Sequence, residues 1–151
     1  MDELRGYAEE VGLWASRQGT PPAYGKLLGW LLICDPPQQT SAELAAALDL
    51  SKGSVSMGMR MLERSGLARR VALPGRRGHA YEIQPDAMIR ATTAAVPHWR
   101  AMADLMRRGL GLVGADSPQA ARLTMTRDFF DYLADKLPAL FDDFKRDNNL
   151  S

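Results

Sequence analysis

Seven basic side chains crowd residues 51–80 (Lys52, Arg60, Arg64, Arg69, Arg70, Arg76 and Arg77) against one carboxylate, Glu63. Their chemistry is the capture of an anion rather than the making of bonds. Within the run, Ser51, Lys52, Gly53, Ser54, Ser56, Met57 and Arg60 fit the first two turns of one helix. A helix start offers free backbone N–H groups and a positive dipole end to a phosphate. Ser51 and Ser54 can add hydroxyl donors, and Gly53 removes a side chain where a backbone must come close. Lys52 and Arg60 can reach a phosphate or a guanine edge, and Met57 a thymine methyl. Arg76 and Arg77 sit together between Pro74, Gly75 and Gly78, at the tip of a turn. Plainer roles stand beside these: Ser51 as a simple helix cap, Lys52 and Arg60 as a solvated face, the arginine pair as charges that aid solubility.

Few other residues suggest chemistry. His79 and His98 have no second ligand at metal spacing, and no nucleophile–base pair, glycine-rich phosphate loop or paired carboxylate motif stands out. Neither an enzyme, a metal nor a cofactor is expected. Cys34, the only cysteine, excludes an internal disulfide and reads as a buried thiol in a reducing compartment, with redox sensing as the alternative. The N-terminus MDELRGYAEE is acidic and LLGWLLIC is too short to span a bilayer, so a cytoplasmic location is expected and no membrane. Net charge is only +1, and the ends of the chain are acidic, so the basic footprint is local.

The elements that must position these residues follow from periodicity. Tyr7, Val11 and Trp14 predict a helix over 2–17, and a second apolar helix runs from about 23 to 34 before Pro36 and Pro37. Thr40 with Glu43 is a capping-box signature. A short helix ends near Asp49, which suits a left-handed turn, and a second starts at Ser51, carries Val55, Met59 and Leu62 inward, and stops at Gly66. Two short helices on a tight turn make a helix-turn-helix. The alternating runs 67–73 and 79–83 around PGRRG predict a hairpin, on which Arg69 and Arg70 point to opposite sides. Together they predict a winged helix-turn-helix: a mainly α chain with a small β hairpin, in which the wing carries Arg76 and Arg77 toward a minor groove. From Pro85 onward the pattern is helical, with interruptions expected at Pro97 and at Gly109/Gly111, and a last helix from Ser117 with Pro118 in its first turn. Its apolar stripes suit a dimer interface. Three regions result: an N-terminal dimerisation helix (1–20), the DNA-binding winged domain (21–85) and a C-terminal helical dimerisation region (86–151).

The run from KLLGWLLICDPPQQTSAELAAALDL through SKGSVS, LERSGL and PGRR closely resembles the winged-helix repressors of the MarR superfamily, most of all its GbsR-type branch. It is also similar to mycobacterial repressors of lipid and drug efflux transporters. The resemblance implies a homodimer joined by its terminal helices, palindromic double-stranded operator DNA read by paired recognition helices, and release by a small ligand. An apolar or amphiphilic effector is then expected where the long helices meet the winged domain, near Leu31, Trp99 and Met102. In choline- and betaine-sensing members an aromatic cage is expected, for which Trp14, Trp30 and Trp99 are the candidates. A winged helix used for protein–protein contact remains the other class.

Overall fold

The computed structural model describes residues 2–75 and 77–151. The elements, in chain order, are α1 (Asp2–Arg17), α2 (Pro22–Ile33), α3 (Ser41–Leu48), α4 (Lys52–Arg64), β1 (Arg69–Ala72), β2 (His79–Glu82), α5 (Ala87–Ala94), α6 (Val96–Val113) and α7 (Ala120–Asp147). They fall into two compact units, Met1–Met88 and Ile89–Ser151.

In the first unit, α1 and α2 are an unusually close pair because glycine lines both faces. A Cβ on Gly25 would stand 2.7 Å from both Gly12 Cα and Ala15 Cβ, so any side chain there would push the helices apart. Leu27 of α2 then meets Leu44 of α3 and Val55, Met59 and Leu62 of α4 in a core where each is fully buried. The capping box at α3 forms as the sequence predicts. Thr40 Oγ1 accepts from Glu43 N at 3.2 Å while Thr40 N donates to Glu43 Oε2 at 2.7 Å. Asp49 takes the left-handed conformation (φ 52°) that turns the chain between α3 and α4, and Gly66 (φ 77°) ends α4.

The hairpin is antiparallel with Arg69 opposite Glu82 and Val71 opposite Ala80; β1 is shorter at both ends than the alternation suggested, while β2 starts at His79 as expected and stops one residue early. The hairpin is also wider. Gln39, in the linker before α3, bridges Tyr81 through two backbone hydrogen bonds of 2.9 and 2.8 Å, so β2 lies between β1 and that linker.

The second unit contains α6 and α7, and two expectations about them are corrected. Gly109 and Gly111 do not break α6, which runs to Val113 and stops at Gly114 (φ 85°). Gly109 instead admits Leu123 of α7, whose Cδ2 would lie 3.2 Å from an added Cβ; the glycine serves helix approach rather than chain reversal. The last helix starts at Ala120 rather than Ser117, because Ser117 Oγ donates to Gly114 O at 2.7 Å and holds residues 114–119 in turns. Pro138 lies within α7. Arg100 and Arg107 link the pair, the first donating to Ala134 O (3.0 Å), the second bonded to Asp104 and Asp131.

Candidate nucleic-acid interface

Ser51 is the N-cap of α4 (φ −67°, ψ 155°). Its Oγ accepts from Ser54 N at 3.1 Å and donates to Ser54 Oγ at 3.0 Å, so each hydroxyl is first a partner of the other. The N–H groups of Lys52 and Gly53 belong to the first turn, where no helical acceptor exists. A Cβ at Gly53 would meet nothing nearer than Ser51 Oγ at 4.0 Å, so internal packing does not require glycine there.

Lys52, Gly53, Ser56, Met57 and Arg60 are exposed and Ser54 is half-buried, on the face of α4 opposite Val55, Met59 and Leu62. Arg60 folds back along the helix, donating from Nη2 to Ser56 Oγ at 3.2 Å. Lys52 and Ser56 edge a groove of about 460 Å³ whose other wall is Ser41, Ala42 and Ala45 of α3 and Tyr81 of β2. The recognition-type helix and the base of the hairpin thus share one surface.

Basic residues on the strand behave differently from those on the helix. Arg69 Nη2 lies 2.6 Å from Glu82 Oε1. Arg70 pairs with Glu63 of α4 at 3.0 Å and stands 5.8 Å from the centre of the Tyr81 ring. The alternation lets at most one of these two face DNA, and both are paired within the chain. Lys52, Arg60, Arg64 and Arg77 have no ion-pair partner among the described residues. Arg77 is exposed in the turn between the strands, and Arg76 lies outside the described residues.

Glu82 is the polar residue that sequence reasoning passed over. It is 6% exposed, and its carboxylate accepts from Arg69, from Gln38 Nε2 (2.7 Å) and from Gln84 Nε2 (2.7 Å). The Arg69 guanidinium, ahead of the Gln38 amide, holds its carboxyl below the usual carboxylate range against the opposing effect of burial. The available signal was a carboxylate inside HAYEI, at a strand position facing an arginine in hairpin register.

Leu31 is buried in the first unit, whereas Trp99 (half-buried) and Met102 (37% exposed) lie on α6 of the second. Trp30 is also buried, its indole N–H donating to Gln39 Oε1 at 3.2 Å, while Trp14 is exposed on α1. Cys34 is half-buried rather than buried, because it follows the last turn of α2 and opens on a groove of about 470 Å³ edged by Leu4, Trp30, Ile33 and Ala47. Desolvation pushes its thiol up, away from the thiolate a fast oxidant sensor uses. No group of three or more His, Cys, Asp or Glu gathers among the described residues, and no helix there is long and apolar enough to cross a membrane.

Comparison with known proteins agrees with this geometry. The family model described as MmpR5-like MarR family transcriptional regulator matches residues 86–147. The HTH-type transcriptional regulator MmpR5 of Mycobacterium tuberculosis (strain ATCC 25618 / H37Rv) is 33% identical over 132 residues, which is 87% of this chain and 80% of the relative. A crystal structure of a transcriptional regulator superimposes with a TM-score of 0.87 at 30% identity, over 95% of this chain and 99% of the other. In that company a helix-turn-helix, a paired-strand wing and two long C-terminal helices make this chain a member of the MmpR5-like MarR family of transcriptional regulators, not of enzymes.

Proposed function

We propose that the chain acts as a homodimeric, ligand-responsive repressor that binds a palindromic double-stranded operator, with α4 in the major groove and the turn 74–78 in the adjacent minor groove. The division among the basic residues carries this reading. Arg69 and Arg70 are neutralised inside the chain, while Lys52, Arg60 and Arg77 stand exposed with no carboxylate partner among the described residues. A solvated face would have no reason to sort its charges by element.

The α4 N-terminus contributes N–H groups and the positive end of its dipole to a phosphate. Gly53, which packing does not require, admits that phosphate to the backbone. Lys52, Ser51, Ser54 and Ser56 reach the sugar–phosphate strand, Arg60 and Met57 the base edges, and Arg76 and Arg77 the minor groove, where a narrow A·T-rich segment concentrates negative potential. A second copy covers the apolar side chains that α1, α6 and α7 leave exposed, among them Trp14, Leu105, Phe129 and Tyr132. It sets two recognition helices about 34 Å apart, one turn of duplex. An apolar or amphiphilic effector shifts that spacing; a hundredfold loss of DNA affinity needs about 2.7 kcal/mol of differential binding. Control of an efflux transporter fits such an effector.

The test is DNA binding by fluorescence anisotropy with alanine variants. Arg60→Ala changes which sequence is preferred. The pair Arg76→Ala and Arg77→Ala instead weakens binding to all sequences alike. Variants at Lys52, Arg60, Arg76 and Arg77 that bind DNA as the parent does would favour a winged helix built for protein contact.

A further inference from the structure

We infer that Glu82, which touches no DNA in the reading above, is the residue that aims the wing, by stapling the β1–β2 hairpin to the linker before α3, whose backbone bridges the hairpin at Tyr81. The inference rests on the proposed DNA binding and deepens it. An isolated two-stranded hairpin is marginal in water, so its direction must be fixed from its base. On the outer side of β2, Glu82 Oε1 takes both Arg69 Nε (2.8 Å) and Nη2 (2.6 Å) from β1. On the inner side, Glu82 Oε2 takes Gln38 Nε2 (2.7 Å) from the linker before α3, next to the Gln39–Tyr81 bridge. Gln84 Nε2, two residues along the chain toward α5, closes the set on Oε1 at 2.7 Å.

This is a buried carboxylate with both oxygens satisfied, and satisfaction is what such a group requires. The consequence is directional. The linker is anchored to α2 through Trp30 and Gln39 and begins α3 at the Thr40 cap, so a wing tied to it keeps one angle to α4. Tyr81, the neighbour of Glu82 in β2, lies against the α3–α4 groove with Lys52 and Ser56. One strand therefore holds the helical motif through Tyr81 and the hairpin partner through Glu82. Loosening the carboxylate leaves Arg77 on the protein but no longer pointing at one groove.

The experiment is a double-mutant cycle on DNA affinity and its salt slope, with full-length protein and the same duplex. Glu82→Gln keeps the shape, removes the charge and puts an amide N–H₂ against the Gln38 donor. Gln38→Ala is a milder cut that leaves the Arg69 pair intact. We expect Glu82→Gln to cost about tenfold in affinity and to lower the salt slope as the Arg76→Ala/Arg77→Ala variant does. In that wing-tip background it should cost less than twofold, because a wing without its arginines has nothing left to aim. Gln38→Ala should show the same pattern at about threefold, and serves alone if Glu82→Gln does not fold. An equal loss in both backgrounds, no loss in the parent, or a wing-tip variant that binds as the parent does overturns the inference. Parent protein that binds no DNA overturns the reading beneath it as well, so the two failures are distinguished by the parent alone.

Discussion

The two units of this chain solve the problem of apolar surface in opposite ways. Met1–Met88 has a core of large side chains: Leu27, Leu44, Val55, Met59 and Leu62 are all inaccessible and Trp30 is buried too, while its exposed apolar residues include Leu4, Tyr7, Leu13 and Trp14 of α1. Ile89–Ser151 buries only Val96 and the alanines Ala103, Ala120 and Ala134, while Leu105, Leu112, Met125, Phe129, Tyr132, Leu140 and Phe144 remain half or more exposed. A monomeric soluble protein rarely leaves so much apolar surface in one region. The first unit has the interior of a finished domain; the second leaves exposed the apolar surface that the proposed dimer would cover. The same contrast holds for charge. In the first unit Arg69 and Arg70 of the hairpin are paired with carboxylates, while Lys52, Arg60 and Arg64 of α4 and Arg77 of the turn have no ion-pair partner among the described residues, an arrangement that suits capture of an anion.

Four changes separate the two units experimentally. Leu62→Ala, in the finished core, should destabilise by about 2–5 kcal/mol in a denaturant titration. A loss below about 1 kcal/mol would mean that the core is looser than its burial indicates. Phe129→Asp, on the unfinished surface, should leave the helical circular-dichroism signal in place but convert a dimer to a monomer in sedimentation. With the second recognition helix gone, DNA affinity should fall about a hundredfold, or ~2.7 kcal/mol. Ser51→Ala removes the α4 cap and should cost about 1 kcal/mol of stability, with DNA affinity reduced besides; an affinity loss no greater than the stability loss explains would restrict Ser51 to capping. The smallest effect concerns pH. The carboxyl of Glu82 is lower in the folded chain than in the unfolded one, so its contribution to stability is complete above the unfolded value of about 4.3 and disappears as pH falls through the folded value. Melting curves of the parent and of Glu82→Gln should therefore differ at pH 7 and converge in acid.

Much of the first unit is legible in the sequence because its signals are local. A capping box, an aspartate able to enter the left-handed region and a glycine stop each state their geometry within four residues, and all three form. The hairpin was legible through alternation and turn residues. The third segment beside it was not, since the pairing of Gln39 with Tyr81 joins positions forty-two residues apart and leaves no periodic trace. Glu82 escaped for the same reason: its partners Gln38 and Arg69 come from two other segments, and a lone glutamate in a strand reads as solvent-facing. In the second unit glycine misled. Gly109 looks like a breaker, but a glycine that admits a leucine from a neighbouring helix has the same spelling. The exposed residues of α4 were legible as a face; what they contact depends on a molecule outside the chain.

The most direct test of the central claim is the salt dependence of binding to a duplex from the promoter region upstream of the protein's own gene. For a dimer that neutralises six to eight phosphates through paired α4 helices and wings, the plot of log affinity against log salt should be linear with a slope of about −5 to −7. A slope near zero, or no binding at low salt, would contradict the assignment of α4 and the turn 74–78 to DNA.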